Sequence, residues 1–542
     1  MRKIIAFILL FNTTISSAQN STTVLENIDS DASLIGFSDE TSVFLTEIEG
    51  GAFRSDFAKS LGYKVLFFNN YSNTLSSQKD LLSSSSSFNF NIIKSIDKSN
   101  EINVFCSDFD RKNKEIEIST INISKNNKSI TESQHVVGFP IDNVPFLIVV
   151  GQPRRFYTSD LIKGPKLAND GKTTFGTVLY GKSSTKAKVF TVREGEATEM
   201  EIQLPASCEL FEVIEQECDD NGNVFILGYI KTSKEDTDSS IDRKKVYLIK
   251  VDFKTKKIRK MLVNSGKSVK TMSMLLSRDG RIFIAGLGHT NNIVNSYFSF
   301  LYSSNLQLQK RNVGEINEES FLNSFTTTEK SIFKGTKENE YFYNFKKPII
   351  IENENGSFSS FTEQYYNIER TVTSFGSDGS TYKNTIYEEY TVGIIGLHFD
   401  TQGIQTGSSR LNTGTERQVL SPNDDRVKDF GVYLYKGRGA VIFQHSSVNE
   451  LDGMKINSFS RGTQLLRATL NENGSFSEEV VYELPDYLTT FIAYTSNIKL
   501  GEDNSIAISG KNGDPSRKKE PTIKLLRDDE IREGGTFVLL IE

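Results

Sequence analysis

The chain is poor in the residues that build disulfide scaffolds. It has three cysteines among 542 residues, too few for a stapled fold and too many for a single bridge. Two arrangements stay open at this point. Cys208 and Cys218 could pair across a short loop, which would leave Cys106 in an apolar strand, or all three could be small buried side chains.

Histidine is equally scarce, and its spacing excludes a metal centre built by local sequence. His135, His289, His398 and His445 stand apart, without an H-x-H or H-E-x-x-H pattern. His289 and His445 each follow an apolar run, so we interpret them as polar residues that end an inner strand. Residues 219–223 (DDNGN) are too compact for a calcium loop, and residues 423–425 (NDD) lack its glycine. We interpret both as turns and predict no metal and no cofactor.

Long apolar runs are absent except at the N-terminus. Arg2 and Lys3 precede eight apolar residues (IIAFILLF, 4–11), and Ser16, Ser17 and Ala18 supply small residues for cleavage. This pattern predicts a signal peptide at 1–18 and a mature chain that starts at Gln19, so no cysteine is in place for a lipid anchor. The run is too short for a membrane helix, which needs about 20 apolar residues. We therefore expect an exported protein without direct membrane insertion.

The mature charge argues against nucleic acid as a partner. Loss of Arg2 and Lys3 leaves 61 basic and 69 acidic residues, a formal charge of −8. Nucleic acids and anionic membranes need clustered lysine and arginine. The basic runs near 254–260 and 517–519 are short and have acids nearby, so we interpret them as solvated surface.

Helix periodicity is also scarce, and the chain instead shows short β-branched and aromatic runs bounded by Asp, Asn and Gly. Such spacing predicts an all-β sandwich, barrel or propeller. The predicted strands lie in segments that start at residues 62 (GYKVLFFNN), 101 (EINVFCSDF), 144 (VPFLIVVGQ), 221 (NGNVFILGYI), 279 (DGRIFIAGLG), 437 (GRGAVIFQHS) and 503 (DNSIAISGK).

Internal repeats decide among these architectures. One unit starts at Asp219 (DDNGNVFILGYI) and continues at Lys244 with a strand–turn–strand hairpin; a second starts at Arg278 (RDGRIFIAGLG) and continues at Asn295. A third runs from Gly437 through 464–484, and Gly396 opens another hairpin of the same type. The Asp-Gly, Asn-Gly and Gln-Gly pairs suit tight hairpin turns, because glycine adopts positive φ easily.

On these repeats the chain resembles a β-propeller, of a degenerate kind common among exported proteins of Bacteroidota. The resemblance implies four-stranded antiparallel blades, with the "DG-x-hydrophobic" strand near the central axis. The WD dipeptide cannot occur without tryptophan, and no kelch signature is present. We expect one domain over 19–542 with seven or eight blades and irregular insertions near 76–90, 150–185, 231–242 and 320–395.

One motif formally matches a phosphate-binding loop. Gly176, Gly181, Lys182 and Ser183 satisfy G-x-x-x-x-G-K-S. That loop joins a strand to a helix, so that the helix N-terminus faces the phosphates. Here the intervening TVLY and the following STKAKVFTV both read as strands, so we predict a hairpin turn at 181–182 and no nucleotide site.

No nucleophile motif is present, and paired carboxylates for glycoside chemistry need no sequence spacing; we therefore assign no catalytic residue. Aromatic runs offer another candidate site. They could form an interaction surface or pack between blades, and the candidate residues are Tyr341, Phe342, Tyr343, Phe345, Tyr365 and Tyr366.

Together these observations predict a non-enzymatic exported propeller that acts as an interaction scaffold. The alternative is a polysaccharide-acting hydrolase or lyase with an acidic site at the central mouth. The composition and signal end resemble proteins of Bacteroidota, which implies a periplasmic or extracellular location. A protein partner is expected, such as an outer-membrane type IX secretion complex, and a glycan is a further possibility.

Overall fold

The structure is a computed structural model. It describes residues 22–28, 32–49, 61–72, 74–81, 91–110, 113–140, 161–181, 184–204, 208–231, 245–264, 268–290, 293–316, 344–375, 381–413, 416–420, 430–445, 464–483, 491–500, 506–512 and 536–541. Within these ranges the chain forms 35 β-strands. No helix among them has the length and apolar character needed to cross a membrane.

The strands of the first half, in chain order, are β1 (Thr22–Ile28), β2 (Ser33–Phe37), β3 (Thr41–Glu49), β4 (Leu61–Asn69), β5 (Thr74–Leu81), β6 (Asn91–Asp97), β7 (Glu101–Asp110), β8 (Glu115–Ser124), β9 (Ser129–Ile130), β10 (Gln134–Pro140), β11 (Ile162–Leu167), β12 (Thr174–Tyr180), β13 (Lys186–Arg193), β14 (Glu196–Ile202), β15 (Leu210–Cys218), β16 (Val224–Lys231), β17 (Lys245–Asp252) and β18 (Lys257–Val263).

The strands of the second half are β19 (Ser268–Leu276), β20 (Ile282–Thr290), β21 (Ile293–Tyr302), β22 (Leu308–Glu315), β23 (Asn344–Phe345), β24 (Ile349–Glu352), β25 (Phe358–Phe375), β26 (Thr381–Phe399), β27 (Gln405–Leu411), β28 (Glu416–Leu420), β29 (Phe430–Tyr435), β30 (Arg438–His445), β31 (Gln464–Leu470), β32 (Phe476–Glu483), β33 (Phe491–Leu500), β34 (Ile506–Asn512) and β35 (Thr536–Ile541).

These strands form eight antiparallel sheets among the described residues. Seven are built from consecutive strands: sheet 1 (β2–β5), sheet 2 (β6–β10), sheet 3 (β11–β14), sheet 4 (β15–β18), sheet 5 (β19–β22), sheet 6 (β23–β28) and sheet 7 (β29–β32). Sheet 8 joins the two ends of the chain, because β1 pairs with β35 beside β34 and β33. Sheet 2 has a fifth short strand, and sheet 6 has six strands.

The sheets follow one another around a closed ring. The first strand of each sheet contacts that of the next, from β2 to β6 and onward to β33, which returns to β2. The eight apolar clusters of the core repeat this order, since each one joins two neighbouring sheets. The predicted all-β propeller with antiparallel blades is therefore confirmed.

A recurrent turn explains how the repeats fold. In six turns, the first residue receives a hydrogen bond from the N–H three residues on and donates its own N–H to the carbonyl four residues on. The fourth position is a glycine with φ near +80° in most copies, such as Gly222 and Gly280, which is the conformation glycine tolerates best. These turns start at Asp219, Ser277, Ser303, Asn353, Asp400 and Asn471.

The repeat strands lie one place further from the axis than the resemblance implied. The "DG" strands are β16 and β20, which are second in sheets 4 and 5, whereas β15 and β19 are first. In sheets 4 and 5 the second strand has a strand on each edge and a neighbouring sheet on each face, and it is almost entirely apolar. The first strand of these two sheets has an open edge and carries the charged residues Glu212, Glu215, Glu217 and Lys270. His289 and His445 also lie one place further from the axis, because they are near the ends of the second strands β20 and β30.

Several other predictions can be located on the fold. All three cysteines are buried and free, so no bridge links Cys208 to Cys218. The predicted strand at 144–152 lies outside the described residues, as do 1–21. Of the predicted insertions, 76–90 includes the end of β5, 150–185 includes β11 and β12, and 320–395 includes β23, β24, β25 and most of β26. The segment at 231–242 lies outside the described residues beyond Lys231.

The two ends of the ring differ in their connections. Because neighbouring strands are antiparallel, turns between first and second strands and between third and fourth strands share one end, which we call the turn end. Links between second and third strands, and from one sheet to the next, share the other end, the loop end. The hairpin of β25 and β26 lies at the loop end.

Candidate functional site

Charged side chains from three sheets meet near the axis of the ring. Glu215 and Glu217 lie on β15, Lys166 lies on β11, and Lys347 lies in the short link between β23 and β24. The pairing of β15 with β16 slips between Val213 and Glu215. Such a bulge changes the direction of the side chains beyond it, and here it accompanies a carboxylate on a strand that mixes apolar residues with three acids. We call these four residues the axial charge cluster.

Glu215 is held by two lysines. Lys166 Nζ donates to Glu215 Oε1 in a very short contact, and Lys347 Nζ lies 2.8 Å from Glu215 Oε2. Ser273 Oγ on β19 also donates to Oε2, at 3.3 Å. Since the Glu215 side chain is only 10% exposed, these charge-assisted hydrogen bonds offset the cost of burying its charge.

Lys166 also reaches the second carboxylate. Its Nζ lies 3.3 Å from Glu217 Oε1 and donates to the Gln216 carbonyl at 3.3 Å. Gln216 in turn donates through Nε2 to the Lys163 carbonyl at 2.6 Å and accepts from Thr177 Oγ1 at 2.7 Å. The three donors of the Lys166 ammonium are therefore used, and β11 is tied to β15.

The two carboxyl groups are shifted in opposite directions. Burial alone would raise the pKa of Glu215, but the ammonium groups of Lys166 and Lys347 outweigh it and lower the pKa to about 2. Burial raises the pKa of Glu217, and Lys166 offsets only part of that effect. Burial would lower the pKa of Lys166, but Glu217 and Glu215 raise it overall. A firmly ionised carboxylate thus lies beside one that is easier to protonate.

The bond between Lys347 and Glu215 crosses part of the ring. Glu215 belongs to sheet 4, whereas Lys347 precedes β24 of sheet 6, so the ion pair passes sheet 5. Lys347 Nζ also donates to the Ile214 carbonyl at 3.1 Å. This bridge across the interior is fixed at two points, and it couples sheets that are not neighbours.

A second buried ion pair lies where sheets 1 and 2 meet. Lys125 Nζ is 2.9 Å from Asp97 Oδ1 and donates to the Phe37 carbonyl at 2.6 Å, while the Phe37 N–H donates to Asp97 Oδ2 at 2.8 Å. Burial raises the pKa of Asp97 in spite of Lys125, and burial lowers the pKa of Lys499 on β33 nearby. This arrangement joins the first strands of sheets 8, 1 and 2.

The structure places two of the predicted aromatic residues, Phe345 and Tyr365, on paired strands. The pairing of β23 with β25 sets Asn344 opposite Tyr365 and Phe345 opposite Gln364, so Phe345 and Tyr365 lie on adjacent strands. Phe345 is buried in the apolar cluster between sheets 5 and 6. Tyr365 is half-buried, and Lys346 Nζ lies 5.5 Å from its ring centroid, within cation–π range.

The other aromatic candidates are less fully placed. Tyr366 continues β25, with its backbone opposite Tyr390. Tyr341, Phe342 and Tyr343 lie outside the described residues.

The motif interpretations can also be checked. Gly176 lies in β12, which pairs antiparallel with β13 across residues 181–185, so the phosphate-loop match is a hairpin as predicted. The turn at Asp219 is closed by its own carboxylate, which accepts from the N–H groups of Asn221 and Asn223. Within the described ranges, no group of three or more histidine, cysteine or acidic residues is placed to hold a metal ion.

Sequence reasoning missed the axial charge cluster. Lys166 and Lys347 lie 49 and 132 residues from Glu215, so no local spacing reveals the contacts. The available signal was three acids within the apolar strand FEVIEQEC, which β15 contains. Because buried acids need partners, that pattern could have pointed to distant lysines.

Comparison with known proteins gives structural similarity only. No family model matches the chain, and no curated protein matches it. Among solved structures, the polysaccharide lyase Uly1 covers 96% of this chain and 99% of its own, at 8% identity and a TM-score of 0.40. A protein of unknown function from Dyadobacter fermentans covers 84% and 98%, at 9% and 0.30. The β-propeller domain of the Trilobed protease from Pyrococcus furiosus covers 74% and 98%, at 10% and 0.33.

Proposed function

We propose that this protein is an exported, non-enzymatic β-propeller that acts as an interaction scaffold and binds its partner at the loop end. The observation that carries the proposal is the length of one hairpin. Strands β25 and β26 have 18 and 19 residues, whereas no other described strand exceeds ten. We call residues 366–390 of this hairpin the arm.

The arm extends well beyond the sheet that carries it. Ten residue pairs, from Tyr366 opposite Tyr390 to Phe375 opposite Thr381, continue the ladder, which corresponds to a length of about 33 Å. A lone two-stranded hairpin is marginally stable in water. Here β28 pairs with β26 along residues 387–391 and adds a third strand at the base. The arm is thus a supported projection at the end where the longer links lie.

The proposed contact surface is the base of the arm. The proposed residues are Tyr365 and Tyr366 on β25 and the predicted candidates Tyr341, Phe342, Tyr343 and Phe345; of these, Phe345 lies on β23, which pairs with β25. Aromatic side chains bury large areas at a small cost in conformational entropy, which suits a binding surface.

The proposed partner is a protein of the cell envelope, such as an outer-membrane complex of the type IX secretion kind. The apolar N-terminal segment with its small-residue end supports export to the periplasm or medium. The excess of acidic residues weighs against nucleic acid. A glycan partner would use the same aromatic residues.

The test replaces the arm and measures capture of envelope proteins. We would join Tyr365 to Thr391 through Asn-Gly, a pair suited to a two-residue hairpin turn. Tagged wild-type protein should retain a defined membrane protein from detergent-solubilised envelopes, and the arm-less variant should lose at least nine-tenths of it. Tyr71→Ser alters a tyrosine that is 78% exposed at the turn end and serves as the control. Equal capture of the membrane protein by all three proteins would reject the proposal. Recovery of the wild-type protein with no membrane protein bound to it would also reject it.

A second candidate is a hydrolase or lyase that acts on polysaccharide near the axis. Glu215 and Glu217 flank one ammonium group and have pKa values shifted apart, a feature of acid–base pairs. The lysine partners of these two carboxylates favour the scaffold proposal over the enzyme, because a carboxylate that is paired with an ammonium group is a poorer base. The discriminating assay measures new reducing ends or unsaturated sugar ends from acidic and neutral polysaccharides. Turnover that is lost in Glu217→Gln would replace the scaffold proposal.

A further inference from the structure

His398 is buried on β26 at the turn end of sheet 6, and both nitrogens of its ring contact hydroxyl groups. Nε2 lies 3.2 Å from Ser357 Oγ, and Nδ1 lies 2.6 Å from Thr406 Oγ1 on β27. A neutral imidazole has one N–H group and one acceptor nitrogen, whereas an imidazolium has two N–H groups. The other bonds of the two hydroxyls therefore determine which form of the ring fits.

The Ser357 hydroxyl requires a donor from the ring. Its proton goes to Asn355 Oδ1 at 2.6 Å, an acceptor that also receives the Ser357 N–H at 3.0 Å. Its other neighbour, Asn353 Nδ2 at 2.8 Å, is a donor, since Asn353 Oδ1 accepts the Gly439 N–H of sheet 7 at 2.7 Å. With its own proton used, the Ser357 oxygen can only accept from the ring, so Nε2 carries a hydrogen.

The Thr406 hydroxyl has two competing bonds and one proton. Its oxygen lies 2.6 Å from His398 Nδ1 and 2.7 Å from the Glu472 carbonyl of sheet 7; the His398 carbonyl, at 3.4 Å, is a more distant acceptor. When His398 is neutral, Nδ1 accepts the Thr406 proton, and the Glu472 carbonyl does not receive it. When Nδ1 is protonated, it donates to the Thr406 oxygen, and the Thr406 proton bonds the Glu472 carbonyl.

Charged groups of both sheets act on this ring. Burial lowers the pKa of His398 and Arg438 of sheet 7 lowers it further, whereas Glu472 of sheet 7 and Asp400 of sheet 6 raise it; the resulting pKa is below the ordinary value of 6.5. Nδ1 is directed to Thr406, which is exposed, so a proton from solvent can reach it. The neutral ring therefore prevails at pH 7, and the second proton is added in acid.

From this arrangement we infer that His398 is a proton-operated switch where sheets 6 and 7 meet. Addition of one proton from solvent to Nδ1 redirects the Thr406 hydroxyl from the ring to the Glu472 carbonyl, which adds a hydrogen bond between the two sheets. The bond from the imidazolium to Thr406 is charge-assisted, and such bonds are about twice as strong as neutral ones. The switch lies at the turn end, opposite the arm, so it does not depend on the proposed partner.

NMR titration of the full mature chain with isotope-labelled histidine tests this inference, because the chain has only four histidines. His398→Asn assigns the signal of His398 by its loss. Thr406→Val removes the hydroxyl that accepts from protonated Nδ1, so the pKa of His398 should fall by about half a unit or more. The matched control is Ser409→Ala. Ser409 also joins β27 to sheet 7, through a bond to the Gly474 carbonyl that does not involve the histidine, and its loss should leave that pKa unchanged.

Thermal melts give a second readout. If Thr406→Val lowers the pKa of folded His398, the variant loses stability relative to wild type as the pH falls through the wild-type pKa. Its deficit in melting temperature should be larger one pH unit below that pKa than at pH 8, whereas the deficit of Ser409→Ala should be the same at both. An unchanged pKa in Thr406→Val, or equal growth of both deficits, would overturn the inference. A His398 signal that does not titrate while the protein is folded would also overturn it.

Discussion

Glu215→Gln should destabilise the ring in a way that depends on pH. The substitution keeps the shape of the side chain and removes the charge between Lys166 and Lys347. A carboxyl with an ordinary pKa of 4.5 that falls to about 2 on folding stabilises the folded state by about 3 kcal/mol above its unfolded pKa. Loss of one partner from a buried ion pair has a cost of similar size, about 3–5 kcal/mol.

The direction of the pH effect follows from the lowered pKa. The unfolded state takes up a proton near pH 4.5, whereas folded Glu215 stays ionised until about pH 2. Its stabilisation is therefore complete at pH 7, falls to about 1 kcal/mol at pH 3, and is nearly gone at pH 2. The difference in free energy of unfolding between the wild type and Glu215→Gln should therefore narrow as the pH falls from 4.5 to 2.

Urea unfolding at pH 7, 4.5 and 3 provides the measurement, followed by tyrosine fluorescence because the chain has 20 tyrosines and no tryptophan. Glu217→Gln is the matched control, because Glu217 and Glu215 both contact Lys166. Since burial raises the pKa of Glu217, its ionisation opposes folding as pH rises, and its loss should cost less than about 1 kcal/mol at pH 7. A Glu215→Gln deficit below 1 kcal/mol at pH 7, or one that stays constant down to pH 3, would refute the electrostatic account.

Three further outcomes are expected. Lys125→Met should lower the free energy of unfolding by about 3–5 kcal/mol at pH 7. Adding Asp97→Asn should restore part of that stability, because it removes the buried carboxylate that has lost its partner. A urea midpoint that is lower in the double variant than in Lys125→Met would contradict this. Gly286→Ala should lower the melting temperature through overpacking of about 1–3 kcal/mol, because its Cβ would lie 2.3 Å from a neighbouring backbone oxygen, whereas Gly138→Ala, whose nearest neighbour is 3.8 Å away, should have little effect. Ellman's reagent should react slowly with the native protein and release three equivalents in urea without reductant, since all three cysteines are free and buried; one equivalent would reveal a bridge.

The turns show why the architecture could be predicted from the sequence. Turns such as those at Asp219 and Ser277 depend on a glycine at positive φ next to an apolar strand, and that signal is local. The turn at Ser303 has the same hydrogen bonds, but Leu306 takes the positive φ of 64°. A non-glycine residue at that position hides the turn from any pattern based on glycine, which explains why the repeats look degenerate.

The axial charge cluster could not be predicted in the same way. Glu215 needs Lys166 and Lys347, and ring closure rather than sequence spacing brings these residues together. The length of β25 and β26 could not be predicted either. The sequence of residues 358–399 looks irregular until the pairing register of the two strands is known. Non-local pairing determines both features, so periodicity carries no information about them.

The ion pair between Lys347 and Glu215 is a structural link across the axis of the ring. Each apolar cluster joins only two neighbouring sheets, so among the described contacts at the axial charge cluster it is Lys347 that links sheet 6 to sheet 4. Lys347→Met should therefore lower the melting temperature, because it leaves the buried Glu215 carboxylate with one partner fewer. An unchanged melting temperature would show that the bridge between sheets 6 and 4 does not contribute to stability.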